Sequence, residues 1–600
     1  MLRAYLYYFF CFFTTFIFSQ SPVQYTISFE NAVHHEAIVK GVFKDLQKDT
    51  VSFRMSRTSP GRYALHEFAK NVYDVKMTDS EGNPLKIMRP DPYQWQVSGH
   101  NGIIYISYTL FADRGDGTYS QIDDTHAHLN IPATFMYVPE LASRPIEVNF
   151  KVREDLQWKV ATQLYPKAEN MFTAPDLYYF MDSPVEISNH TIREFKDTSN
   201  GKEYTIRFVL HHPGTEEEFN TYFEKVKKIV VQEKKVFGEY PDFDTNTYTF
   251  LACYHPTVAG DGMEHRNSTI LTDTESLANG GMENNIGTVA HEFFHAWNVE
   301  RIRPKDLEPF DFENANMSEA LWFAEGFTSY YTGLILHRAG IITTEEYLEK
   351  VAKTFNYVWN SPARNYFNPI EMSYQAPFVD AATSVDPVNK DNTFISYYSY
   401  GSILGLALDL SLRKEENNLT LDDFMKLIWA TNGKNEIPYT VKDLHKTLEV
   451  YAGKAFADSF FEKYIYDSQM PDYQKLFDSV GVLVEQKKSV PASGLTLKVK
   501  ANNVYIDEYP LKNTAAYETQ LDKDDVLLKV NETSIKNLED WKTVHENHKP
   551  GDTLNITYRR NGNIAETKLL LAADPAYDIV LSKKADKKAV QKRKEWLSPD

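Results

Sequence analysis

From Gln24 to about His211 the chain alternates apolar and polar positions in short runs, such as Tyr25-Thr-Ile-Ser-Phe29 and Gly102-Ile-Ile-Tyr-Ile-Ser-Tyr108, divided by clusters of Gly, Pro, Asn and Asp. A period of two with such breaks predicts half-buried, mostly antiparallel strands. Past Pro213 the period changes. Thr215-Glu-Glu-Glu reads as a helix start, and Phe219, Tyr222, Phe223, Val226, Ile229 and Val230 recur at helical spacing, which puts the first boundary near residue 212. A strand-like run from Thr247 to Tyr254 follows, and helical patterns dominate from about Asn285 to Ala457. After Lys487 short strands return around one helical stretch from Leu538 to Asn547. The expected class is α+β and multidomain: an N-terminal antiparallel β domain (20–212), a mostly helical block (213–480) and a small module (485–575). A tail (576–600) follows, whose Lys583, Lys584, Lys587, Lys588, Lys592, Arg593 and Lys594 read as a solvated basic end.

The first nineteen residues do not belong to that pattern. Arg3, an uncharged aromatic-rich run from Ala4 to Phe18 and the small Ser19 predict a cleavable signal peptide over 1–19, because the run is short for about 30 Å of hydrocarbon. The protein is therefore expected to be exported, secreted or periplasmic, with no membrane attachment after cleavage. Of the two cysteines, Cys11 would leave with the signal and Cys253 would remain alone, so no disulfide supports the fold.

Composition narrows the possible partners. Hydrophobic residues at 42% and charged residues at 24% are ordinary for globular domains and exclude collagen-like, disordered and multi-span membrane chains. A net charge of −19 repels phosphates, which excludes nucleic acid as a partner. Aromatics reach 14%, and several of them crowd the chemistry below.

That chemistry begins at His291-Glu-Phe-Phe-His295. Four residues on a helix turn about 400°, so both histidines can aim a ring nitrogen at one cation while Glu292 stands beside them. Val289, Ala290, Phe293, Phe294, Ala296 and Trp297 are uncharged, and two histidines with a carboxylate in so apolar a helix need a partner or a metal. Two imidazoles suit Zn²⁺, one per chain, which in a catalytic site takes a third protein ligand and keeps a position open. Asn298 and Arg301 stand where one zinc subclass needs Gly and His, closing that route. The remaining route is a glutamate from the helical stretch Met317 to Ala339. Glu325 sits in the apolar Leu321-Trp-Phe-Ala-Glu-Gly-Phe-Thr-Ser-Tyr-Tyr331 and is preferred to Glu319, which lies at the polar start where a carboxylate simply suits the helix dipole.

The run His291 to Pro304, the run Leu321 to Tyr331 and Arg338-Ala-Gly340 together resemble the glycyl aminopeptidase family of gluzincin zinc metallopeptidases. The resemblance implies an N-terminal β domain, a thermolysin-like catalytic domain and a C-terminal PDZ domain. It implies a zinc-dependent aminopeptidase that removes small N-terminal residues, Gly and Ala, by Glu292-assisted attack of zinc-bound water. Glu292 would be the general base and Glu264, in Gly262-Met-Glu-His265, would anchor the free amine of the peptide substrate. Glu283, in Gly281-Met-Glu-Asn284, competes for that role but lies too close to His291 to leave room for a strand and turn. Tyr398 would stabilise the oxyanion, with Tyr397 and Tyr400 as alternatives. The chain departs from the family at Met263 for Leu, at Glu300 and Tyr400 for basic residues, and at Gln520 and Asp524 for two PDZ glycines. A zinc endopeptidase, or an inactive scaffold carrying a PDZ peptide-binding module, are the rival readings.

Overall fold

In Val23–Asn31 the side chains of Val23, Tyr25, Ile27 and Phe29 are buried and those between them are not, the two-residue period of a sheet covered on one face. This computed structural model describes residues 21–379, 389–415, 417 and 419–598; the expected signal peptide, with Cys11, lies outside the described residues. Val23–Asn31 is the middle strand of a seven-stranded sheet, parallel to Ile146–Lys151 and antiparallel to Glu36–Phe43. A three-stranded sheet of Thr50–Arg54, Gln94–Ser98 and Ile87–Met88 adds Phe53, Trp95 and Val97 to the same core. A four-stranded sheet of Lys159–Thr162, Val185–Ser188, His126–Leu129 and Gln121–Ile122 faces the next layer, where Ala161 packs on Val209, Leu251, Met263 and Ile270.

That layer is a five-stranded sheet ordered Thr191–Ser199, Lys202–His211, Thr247–Tyr254, Ser268–Asp273 and Asp261–His265. Its first two strands form an antiparallel hairpin upstream of the expected boundary at 212, so this sheet runs across that boundary. The hairpin carries the same alternation as the strands before it. Only its partner distinguishes it: Tyr204, Ile206, Phe208 and Leu210 pack under the helix Glu216–Phe237 and share the helical core. That helix opens with a capping box between Thr215 and Glu218 and ends at Gly238, whose φ of 84° suits a residue without Cβ. Its six predicted apolar positions are all buried.

The helix Tyr397–Leu412 crosses the Glu325 segment at very close range. A Cβ on Gly401 would stand 1.8 Å from the Trp322 carbonyl oxygen, and one on Gly326 would stand 2.3 Å from the Gly401 Cα. Two facing glycines thus let two backbones touch, which fixes the Tyr397–Leu412 helix beside Glu325.

The small module is a β-rich fold in which Leu497–Lys500, Asn503–Ile506, Val526–Val530, Thr553–Arg560 and Asn563–Leu570 pack with the helix Leu538–Glu546 around Leu527, Leu554, Ile556 and Trp541. Asp524 has φ of 67°, the left-handed turn that glycine usually takes. Two strands flank the module and pair with each other, Val482–Gln486 with Tyr577–Leu581, so it loops out of a ribbon laid on the catalytic core.

The expected solvated tail is instead structured. Tyr577–Leu581 completes the ribbon and Lys587–Leu597 is a helix capped by Asp586. Trp596 on it is fully buried and donates its Nε1–H to the Tyr330 hydroxyl at 2.9 Å, while Arg338 and Arg413 donate to the carbonyl oxygens of Trp596 and Glu595. The basic residues hid this because the helix buries only Trp596 and Leu597 fully, while Lys592 and Arg593 themselves donate to the Arg413 and Gly481 carbonyls. Among the described residues no helix is long and apolar enough to cross a membrane.

Candidate metallopeptidase active site

The helix Ile286–Phe294 buries Val289, Ala290, Phe293 and Phe294 against the core and leaves His291 and Glu292 on its cleft side. His295 caps its end. The Nε2 atoms of His291 and His295 stand 3.1 Å apart, and Glu325 Oε2 lies 3.7 Å from the first and 3.2 Å from the second. Two zinc–nitrogen bonds of about 2.0–2.1 Å at a tetrahedral angle separate the nitrogens by about 3.3 Å. The three side chains therefore fit a single zinc ion.

The other ring nitrogens set the tautomers. Thr332 gives its hydroxyl proton to the Thr328 carbonyl, so its oxygen accepts from His291 Nδ1 at 3.2 Å. His295 Nδ1 donates to the Asn298 carbonyl at 2.5 Å. Both Nε2 lone pairs consequently face Glu325. Asn298 also binds the Phe323 and Ala324 carbonyls with its side chain, tying the histidine segment to the residues just before Glu325. Glu325 itself lies between the short helices Leu321–Ala324 and Gly326–Arg338. Burial opposes its charged form, but His295 and His291 outweigh that and hold its pKa far below the usual carboxylate range.

Glu292 is 5% exposed, and its Oε2 has no hydrogen-bond partner. Gly262 on the edge strand Asp261–His265 makes room for it, since a Cβ there would fall 2.3 Å from Glu292 Oε1. Burial, then the balance of His295 against Glu264 and Glu325, raises the Glu292 pKa. Glu264, two residues along the same strand, brings a carboxylate within 4.8 Å of ligand atoms of Glu292 and His295. The competitor Glu283 stays outside, exposed on the short helix Gly281–Asn284 and paired with Lys225 at 3.3 Å. Glu319 is also outside, against the Tyr374 hydroxyl.

Of the three tyrosines, Tyr398 places its ring 5.8 Å from that of His291. Tyr397 packs behind it at 4.8 Å, and Tyr400 turns toward Arg364 and Asp467. One further residue enters from the N-terminal domain: the Tyr63 hydroxyl donates to Glu325 Oε1 at 2.6 Å. Nothing in the sequence marks Tyr63, because it shares no spacing or motif with the residues it meets.

Residues 24–189 match the Peptidase M61 N-terminal domain, residues 284–404 the M61 glycyl aminopeptidase domain and residues 491–571 a PDZ domain. The chain thus carries both the N-terminal and the peptidase domain of the M61 glycyl aminopeptidases. It is a metallo-aminopeptidase with a PDZ domain. An aminopeptidase N family protein from Idiomarina loihiensis is similar in fold, with a TM-score of 0.84 at 23% identity over 96% of this chain and 100% of that one. An M1 zinc metallopeptidase from Deinococcus radiodurans overlaps more loosely, with a TM-score of 0.44 at 13% identity over 76% of this chain and 96% of that one. No curated protein sequence matches.

Proposed function

We propose that this metallo-aminopeptidase is a zinc-dependent exopeptidase that hydrolyses the first peptide bond of peptides with a free N-terminus, preferring Gly and Ala there. His291, His295 and Glu325 would hold one zinc ion per chain. Bound there, zinc would supply Lewis-acid polarisation of the scissile carbonyl and acidify an attacking water. Glu292 takes the water's proton on its unpartnered Oε2 and passes it to the leaving amine. The Tyr398 hydroxyl donates to the oxygen that gains charge, a contact typically worth about 3–4 kcal/mol. Glu264 pairs with the substrate ammonium, so that only the first peptide bond reaches Glu292. The preference for small residues rests on the family match. Export rests on Arg3 and the apolar run after it, and an extracellular or periplasmic form beginning at Gln20 is its test.

The observation that carries the exopeptidase reading is Glu264, a buried carboxylate on the edge strand within 4.8 Å of both Glu292 and His295. The test compares free and N-acetylated peptides on wild type and Glu264→Gln. Wild type should cleave only free peptides, and Glu264→Gln should lose at least tenfold in kcat/KM on them while keeping its metal. Equal cleavage of blocked and free peptides by wild type would mean an endopeptidase. Equal hydrolysis by wild type and Glu292→Gln would sink the mechanism.

A further inference from the structure

A second group of metal-type side chains lies between the N-terminal and catalytic domains, apart from the peptidase centre. His126 and Glu186 come from adjacent strands of the four-stranded sheet, and His211 and Cys253 are directly paired on adjacent strands of the five-stranded sheet. All four are buried, none more than 7% exposed. Cys253 Sγ lies 3.2 Å from His211 Nδ1, Glu186 Oε1 lies 4.0 Å from the same nitrogen, and ligand atoms of His126, His211 and Cys253 all fall within 4.8 Å of one another.

The hydrogen bonds around the group leave lone pairs unanswered. Thr125 gives its hydroxyl proton to Asp123, so its oxygen accepts from His126 Nδ1 at 2.9 Å, and His126 Nε2 is left as an acceptor. That nitrogen is buried and has no partner. His128 donates its Nε2–H to the Asp116 carbonyl at 3.1 Å and shares a single proton between its Nδ1 and Glu186 Oε2 at 3.2 Å, while Glu186 Oε1 is also buried without a partner. The Cys253 thiol can donate once, to His211, which leaves the other two acceptors bare. Buried acceptors of this kind are destabilising when unsatisfied.

We propose that His126, His211 and Cys253 bind a second, structural divalent cation of the zinc class that joins the two domains, with Glu186 Oε1, 4.0 Å from His211 Nδ1, closing in as a fourth donor when the ion binds. One thiolate, two imidazoles and one carboxylate make a closed donor set for such an ion. Binding would deprotonate the thiol, the proton passing to solvent, with no change of oxidation state. The sequence offers little signal for this site, because its four members lie on four strands with no motif spacing among them.

Cobalt separates the two sites, since the peptidase centre contains no sulfur ligand. The intact chain, stripped of metal and reloaded with Co²⁺, should take up two equivalents and show a thiolate-to-cobalt charge-transfer band in the near ultraviolet. Cys253→Ser should fall to one equivalent and lose the band; His295→Gln should fall to one equivalent and keep it. Wild type with one equivalent and no band in excess Co²⁺ would overturn the proposal and leave the peptidase centre as described. One equivalent with the band would instead support this site and count against zinc at His291, His295 and Glu325. The wild-type spectrum decides even if Cys253→Ser fails to fold.

Discussion

At the scale of single residues, the two tyrosines that reach the metal centre do different work and should fail differently. Tyr63 gives its hydroxyl proton to the ligand Glu325 and packs its ring on Tyr397, so Tyr63→Phe, which keeps the ring, should weaken metal retention about 10- to 100-fold in a chelator competition. Tyr398 faces the reacting carbonyl in the proposed mechanism, so Tyr398→Phe should keep its metal and lower kcat about 10²- to 10³-fold. A metal-binding defect in Tyr398→Phe, or normal retention in Tyr63→Phe, would reverse these assignments. A pH effect is expected further out. His66 lies between Phe68 and Tyr119, where burial, then the charges of Arg62 and Arg114, push its pKa from 6.5 down to about 4. A depressed pKa stabilises the fold fully above 6.5, and this contribution is lost as pH falls through 4. His66→Phe should therefore lose less stability than wild type between pH 7 and pH 4, by of order 1–3 kcal/mol, read as a shallower fall in Tm. Parallel Tm profiles would exclude His66 as a source of acid sensitivity. Much of the site was legible at this scale because its chemistry is local: His291, Glu292 and His295 share one helix, Glu325 sits as a lone charge in an apolar run, and Glu264 has the spacing of a strand. Tyr63 and the His126 group were not, since only tertiary folding brings them to their partners.

At the scale of elements, the helix Lys587–Leu597 decides more than its composition suggests. Trp596 fills space against Tyr330 and Tyr347, and Tyr330 belongs to the helix that follows Glu325. Trp596→Ala should cost about 3–5 kcal/mol and lower activity together with Tm. A lowered Tm with unchanged activity would show that the docking is structural alone. Amphipathic helices with many apolar residues, such as Glu216–Phe237, announce themselves by periodicity. A helix that buries chiefly Trp596 and Leu597 does not, and its lysines dominate any reading by composition. The hairpin 191–211 escaped for the converse reason: its alternation is unmistakable, but alternation does not say which sheet a strand will join.

At the scale of the whole molecule, the PDZ domain is an insertion in a ribbon and not an appended end. Gln486 and Tyr577 are cross-strand partners, so the chain leaves and returns at one place. Outside the ribbon, Lys512 meets Asn392 and Tyr366. Replacing residues 488–575 with an Asn-Gly turn should leave a folded protein that keeps at least half of wild-type kcat/KM on dipeptides. An inactive product would mean that the PDZ domain helps to form the active site.

The ribbon also sets an order of assembly during synthesis. Residues 577–597 complete the core behind the Glu325 helix, yet they are made only after the PDZ domain. A nascent chain can finish its PDZ domain while the peptidase still lacks Trp596, so proteolytic competence should arrive late, when most of the protein has already been made and, if exported, carried across the membrane.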